Sequence, residues 1–254
     1  MLPTVRTHFW RRNVWSDADA GAYSAALGRS TYVRSIANAL APYVRPSRAM
    51  LDIGAGDGRF AMALTRRRAE VAAVEPCAAM RRRLVARVGG ARRLRVYDTT
   101  WERIPDGRFD LGFAANIAAF KIDPAGLHAS MRARCRRMVW VVPAQPGPSS
   151  FCLSGLASAH LPDRAAAPVY LDVLRRLGPR RKPARVLLRA WTFVRHFASA
   201  RSAEVAMAEW IAAAGGAAAL GEVTKLVAEH ARPAAGGGVT LACPKSSAIL
   251  VWDR

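Results

Sequence analysis

The sequence predicts an α/β protein: a doubly wound, mostly parallel sheet of seven strands with an antiparallel last strand and helical insertions. Three observations carry that expectation. Residues 51–64, LDIGAGDGRFAMAL, pass without a break from an apolar strand through a glycine-rich turn into the spacing of a helix. Short apolar runs recur at 71–74, 94–97, 109–113 and 138–142 with helical stretches between them, the alternation of a parallel sheet. A last apolar run, 248–252, lies close behind another at 239–242, so it is expected to return antiparallel at the sheet edge as a hairpin.

Residues 1–46 read as an N-terminal cap segment, rich in aromatics (Trp10, Trp15, Tyr23, Tyr32, Tyr43) and partly helical. The main domain then spans 47–254. Met50, Leu51 and Ile53 form the first strand, and Gly54, Gly56 and Gly58 fall where the chain turns sharply or must let a ligand approach its backbone. The second strand ends in Glu75 about twenty residues after the turn, the place of a ribose-binding carboxylate. In 78–88, Met80, Leu84, Val85 and Val88 share one face, and Arg81, Arg82, Arg83 and Arg87 lie largely on the other. The fourth strand ends in Ala114, Ala115 and Asn116. A stretch rich in Pro, Ser, Gly and Ala (143–168) reads as part of a lid, 169–177 as an amphipathic helix and 185–194 as a strand, and 202–232 as a two-helix lid insertion.

A chain of 254 residues suits one elaborated domain. The formal charge of +21 would point toward an anionic partner, but of 39 basic residues all except Lys121, Lys182, Lys225 and Lys245 are arginine, a skew that a GC-rich coding sequence produces unaided. Cys77, Cys135, Cys152 and Cys243 show no metal-ligand spacing, so no metal is expected, and they read as reduced and structural. No segment approaches the length of a bilayer span, and a cytoplasmic protein without a membrane partner is expected.

D-I-G-A-G-D-G followed by A-V-E-P resembles the class I, Rossmann-like S-adenosylmethionine-dependent methyltransferases of small-molecule type. The turn lacks the G-x-G-x-x-G spacing usual for dinucleotides, and the fourth strand lacks the N/D-P-P-Y/F signature of methyltransferases acting on amide or nucleobase nitrogens. The resemblance implies S-adenosylmethionine as cofactor. Asp52 and the backbone at Gly54, Ala55, Gly56 and Gly58 would hold its amino-acid moiety, Glu75 beside Pro76 its ribose, and Ala115 and Asn116 would border the methyl group. Thr100 stands where the family usually has an adenine-reading Asp, which leaves Thr100 and Trp101 as the adenine contacts. Trp10, Trp15, Tyr23, Trp191 and Trp210 are the candidates for the acceptor pocket.

Methyl transfer from a sulfonium asks the protein chiefly to align nucleophile, methyl and sulfur and to exclude water. No base is singled out among His8, His128, His160, His196 and His230, although His196 rises above the others, beyond a strand end beside Arg195. Alkylation chemistry through Cys152 and Cys243 would require their proximity. The expected activity is methyl transfer to a small-molecule acceptor, with no specific nucleic-acid partner. The alternatives are an RNA methyltransferase using the arginine-rich surface, and a non-catalytic regulator or partner subunit that binds the cofactor.

Overall fold

The computed structural model describes residues 15–65, 69–145, 153–160, 168–213 and 215–253; His8, Trp10 and Cys152, and much of the stretch 143–168, lie outside them. Helix α1 (Asp17–Arg29) starts where the Ser16 hydroxyl accepts the Asp19 N–H at 3.1 Å, and Asp17 and Asp19 in its first turn complement the helix dipole. Helix α2 (Tyr32–Val44) buries Tyr32, Ile36, Leu40, Tyr43 and Val44, a stripe at helical spacing. The sheet follows: β1 (Ala49–Ile53), α3 (Arg59–Thr65), β2 (Glu70–Val74), α4 (Ala78–Val88), β3 (Leu94–Tyr97) and β4 (Phe109–Ala115). A short α5 (Ala119–Ile122) leads to α6 (Pro124–Arg134), which begins with Asp123 accepting the Gly126 N–H at 2.8 Å and with proline in its first turn. Then come β5 (Cys135–Pro143), α7 (Val169–Leu177), β6 (Arg185–Phe197), α8 (Ala200–Ala213), α9 (Leu220–His230), β7 (Ala231–Pro233) and β8 (Val239–Trp252).

The sheet runs β3-β2-β1-β4-β5-β8-β6, with the short β7 paired to β8. Neighbours from β3 to β5 are parallel; β8 is antiparallel to both β5 and β6. This is the predicted architecture with three differences, the first being that the last strand lies between β5 and β6 and leaves β6 at the sheet edge. The short β7 makes the strand count eight, and the expected 239–242/248–252 hairpin is one continuous strand. Cys243, Lys245 and Ser247 all point into the buried side while Pro244 faces out, so the strand keeps its two-residue period through a polar stretch that reads as a turn by composition. Its consequence is geometric. β5 stops where Pro143 pairs with Ser247, whereas β6 and β8 stay paired as far as Phe197 and Val239, so this two-strand ribbon overruns the parallel strands at their carboxyl ends.

Apolar side chains cover both faces. On one, Tyr32, Ile36 and Leu40 join Phe113, Val141, Trp191, Phe193, Met207, Ile211 and Val227. On the other, Leu127 and Met131 of α6 and Val173 and Leu177 of α7 pack on Trp140, Leu250 and Trp252. Among the described residues no helix is long and apolar enough to cross a membrane.

His128 sits within the second cluster, its ring 5.5 Å from Trp252 and 6.1 Å from Trp140. Burial, followed by the nearby Arg181 and Arg132 charges, pushes its pKa down to about 4. The folded state therefore resists a proton that the unfolded chain takes up near its ordinary value, so stability present above that value is lost as pH falls toward 4. His128→Gln should remove this sensitivity: the melting temperature of the wild type should drop more steeply than the variant's between pH 7 and pH 4. Parallel melting curves against pH would refute it.

Candidate functional site

The glycine turn and the N-terminal helices enclose a cleft of about 410 Å³, part of it open to solvent. Its floor is Asp52, Gly54, Ala55 and Gly56 from β1 and the turn, with Phe113, Ala115 and Asn116 from β4 beside it. Tyr23, Leu27, Tyr32 and Val33 of α1 and α2 form the roof, and Asp57, Arg59 and Phe60 complete the wall. The position follows from topology, since β1 and β4 are adjacent and their carboxyl ends open between the crossovers on the two faces.

The donors and acceptors of this cleft are sharply divided. The Gly54 and Ala55 N–H groups both donate to the Val74 carbonyl, at 2.8 and 3.0 Å, and Gly58 N–H donates to the Ala55 carbonyl at 3.0 Å. Gly56 N–H donates to Glu75 at 2.8 Å, and the other Glu75 oxygen accepts from Cys77 N–H at 2.8 Å. The Gly54, Ala55, Gly56 and Gly58 amide donors are thus committed within the protein. Unpaired are acceptors: among the described residues, Asp52 Oδ2 and Asn116 Oδ1 are buried without a hydrogen-bond partner. Burial, with the Glu75 charge adding to it, raises the Asp52 pKa to about 7. Glu75 is raised by burial too, against the opposing pull of the Cys77 and Gly56 amides and of Arg81.

Asn116 takes a left-handed backbone conformation, φ 51°, which asparagine tolerates better than most residues. Its N–H donates to the Val141 carbonyl at 2.9 Å, and its side-chain amide donates to the Tyr32 hydroxyl. Tyr32 packs on Trp191 at 4.6 Å and edge-on to Phe60 at 5.5 Å, and Phe60 contacts Phe113 at 5.0 Å. An aromatic wall therefore stands beside the two unpaired oxygens. Burial raises the Tyr32 hydroxyl far above its ordinary pKa, so it remains a neutral donor and acceptor.

The structure brings together Asp52, Gly54, Ala55, Gly56, Ala115, Asn116 and Tyr23 among the residues singled out from sequence. Glu75 and Pro76 adjoin the turn, with Glu75 reaching it through Gly56 N–H. Trp15 reaches the group through Tyr23, 4.9 Å away, and Trp191 lies behind Tyr32. Thr100 and Trp101 stand off the cleft; the indole packs in the second core cluster. Trp210 lies under the Arg195 guanidinium at 4.7 Å, and His196 is exposed, its Nε2 2.9 Å from the Gly237 carbonyl. Cys243 is buried on β8. Tyr32, Phe60 and Phe113 are the residues that sequence reasoning passed over, because at helix and strand spacing they look like any other core aromatics. Among the described residues no group of three or more His, Cys, Asp or Glu could hold a metal ion.

Residues 51–138 match the family model described as a methyltransferase domain. The plantazolicin methyltransferase BpumL, solved in complex with SAH, aligns with a TM-score of 0.52 at 12% identity, over 98% of this chain and 94% of that one. YcgJ protein from Bacillus subtilis aligns with a TM-score of 0.46 at 18% identity, over 82% and 92%. The glycopeptide N-methyltransferase MtfA, complexed with S-adenosyl-L-methionine, gives a TM-score of 0.40 at 21% identity over 44% of this chain and 54% of that one, so the chain spans about half the length of that protein. No curated protein matches the sequence. The strand order and the glycine turn are those of a Rossmann-like fold, and residues 51–138 are similar to a methyltransferase domain.

Two glycines of the turn make separable demands. A Cβ on Gly54 (φ 69°) would stand 2.3 Å from Ile117 Cγ2, whereas one on Gly56 (φ 58°) would meet nothing nearer than the Gly54 carbonyl at 3.9 Å. Both substitutions strain the backbone, by about 1–2 kcal/mol. Gly54→Ala adds a clash in the core and should lower the melting temperature markedly more than Gly56→Ala, whose methyl intrudes on the space above the turn. Melting curves together with S-adenosylhomocysteine calorimetry should show Gly56→Ala folded but weakened in binding; full affinity would place the ligand elsewhere.

Proposed function

We propose that the protein transfers a methyl group from S-adenosylmethionine to a small-molecule acceptor. The observation that carries this reading is the division of polar groups in the cleft. A dinucleotide's pyrophosphate requires free N–H donors at the glycine turn, and here those of Gly54, Ala55, Gly56 and Gly58 are used internally. The orphaned Asp52 and Asn116 oxygens suit the α-ammonium of an amino-acid moiety instead. Asp52 and Glu75 make the turn a poor neighbour for phosphate and a good one for a cation.

When bound, S-adenosylmethionine supplies a methyl group on a positively charged sulfur, so the thioether leaves without an acid. The chain's part is positional. Asp52 and Asn116 hold the ammonium, Glu75 accepts from the ribose hydroxyls through its remaining lone pairs, and the Tyr32 and Phe113 rings offer their faces to the sulfonium end. Thr100 and Trp101 stay as adenine contacts in this reading. The N-terminal cap, 143–168 and 202–232 close over the acceptor and exclude water; α1 and α2 already roof the cleft, while α8 and α9 pack on the β6–β8 overrun that extends past its edge. Trp15, Tyr23, Trp191 and Trp210 supply the acceptor's aromatic surroundings. His196 is turned toward Gly237, so no base is assigned to it.

Binding of S-adenosylhomocysteine with no measurable affinity for NAD, by calorimetry, is the expected result, and the reverse preference would overturn the reading. Its pH dependence carries a sign. In the free protein the Asp52 carboxyl, raised to about 7, holds a proton below that pH, and the ligand's ammonium favours the ionised form. Binding should therefore release a proton below pH 7, and affinity should fall by up to about tenfold per pH unit there while staying level just above it. Asp52→Asn should bind more weakly with a flat profile. Proton release is read from calorimetry in buffers of different ionisation enthalpy; none at pH 6 would contradict the role.

A further inference from the structure

One buried ionisable group takes no part in this scheme. Lys245 is 3% exposed, and among the described residues its Nζ has no hydrogen-bond partner. Lysine almost never buries its ammonium without a counter-charge, because desolvation costs several kcal/mol unless something compensates it. A group in this state is either an unexplained loss of stability or half of an ion pair.

Its position favours the second. Lys245 lies on β8 two residues before Ser247, which is where β5 ends at Pro143, and directly across from Trp191 on β6. Directly opposed residues of an antiparallel pair share a face, so the ammonium stands on the Trp191 side of the sheet, at the carboxyl edge that also carries Asn116. Trp191 is oriented by its indole N–H, which donates to Ser247 Oγ at 3.0 Å, and its ring stacks 4.6 Å from Tyr32, the roof residue bonded to Asn116. On the other flank Gly155 packs closely: a Cβ there would stand 2.8 Å from Cys243 Sγ and 3.9 Å from Lys245 Nζ.

We propose that Lys245 anchors the methyl acceptor by pairing with a carboxylate that the acceptor carries, one aromatic layer away from the cleft. The inference rests on the methyl-transfer reading above. A single ammonium set among Trp191, Cys243 and Ser247 balances one negative charge, which suits a carboxylate rather than a phosphate dianion. The buried Trp191 and Tyr32 rings, 4.6 Å apart, form the layer between it and the cleft. Lys245 is a specificity residue in this account, and the reacting atoms lie at the other end of the acceptor.

The test uses the full chain loaded with S-adenosylhomocysteine, titrated with acetate, benzoate and 4-hydroxybenzoate and with the three corresponding amides. At least one carboxylate should bind at least tenfold more tightly than its amide, and Lys245→Met should abolish that preference. Since the variant exchanges an unpaired ammonium for an apolar side chain of similar length, it should melt at the same or a higher temperature. Carboxylates binding no better than amides, a preference that survives in Lys245→Met, or a lowered melting temperature revealing an internal counter-charge would each overturn the proposal. Failure of the wild type to take up S-adenosylhomocysteine would instead remove the methyl-transfer reading on which it stands.

Discussion

Three carboxylates are buried around a single glycine turn, and the structure depends on how each is accommodated. Asp52, Asp57 and Glu75 are 2%, 3% and 6% exposed, and the Glu75 charge opposes that of Asp52. Glu75 is held by two backbone amides. Asp57 is held by Ser24 and by Arg59 and Arg87, each at 2.9 Å. Asp52 has no such support, and its pKa rises accordingly. The supported pair have structural work: Glu75 fastens the turn to the start of α4, and the Asp57 cluster fastens α1 and α4 to the same turn. Arg59 also donates to the Ser24 carbonyl at 2.6 Å and Arg87 to the Asp57 carbonyl at 2.8 Å, so the roof of the cleft is tied to its floor by charge-assisted bonds. The unsupported carboxylate lies on the floor of the cleft, where in the proposed reading a cationic ligand group completes it.

The same logic accounts for a good part of the arginine excess. Arg81 donates to the Glu75 and Pro76 carbonyls as well as to Asp98, Arg176 to the Lys121 and Ile122 carbonyls, and Arg108 to the Ala133 carbonyl. These guanidiniums satisfy carbonyls at helix ends and loops that would otherwise rely on water. Others pair with carboxylates: Arg82 with Asp17, Arg137 with Asp253, Arg175 with Asp172. A charge of +21 is therefore partly a structural property of this chain, and it weighs less toward an RNA-binding surface than the bare number suggests.

Most of the frame was legible in the sequence because the relevant signals are local. An apolar run ending in glycines, or a stripe recurring every three to four residues, requires no knowledge of what lies across the sheet. That is why β1 to β5, the helices between them and Asp52, Gly54, Gly56 and Asn116 could be placed. What escaped depended on partners distant in the chain. The β8 strand was split into a hairpin because Pro244, Lys245, Ser246 and Ser247 interrupt the apolar pattern, and only pairing with β6 along its whole length carries the strand through them. Tyr32 was legible as an aromatic and not as a site residue, since its meaning comes from Asn116, 84 residues away. Asp57 looked like a spacer between glycines until Arg87 and Ser24 were brought to it.

The continuity of β8 also bears on how such a domain acquires specificity. The parallel strands end at one level, and the cofactor cleft forms there with groups supplied by β1 and β4. Extending β6 and β8 past that level adds a second platform, on which α8 and α9 rest through Met207, Ile211, Val223 and Val227. The platform is rigid because it continues the hydrogen bonding of the central sheet, so a side chain mounted on it is positioned relative to the cleft with the precision of a strand rather than a loop. Trp191, Ser247 and Lys245 occupy the junction between the two levels. A polar residue there interrupts the apolar pattern and is poorly explained by stability, since an apolar residue of the same size would pack without the cost of burying a charge. On the proposal above, the junction of the two levels is where a carboxylate of the acceptor would be held.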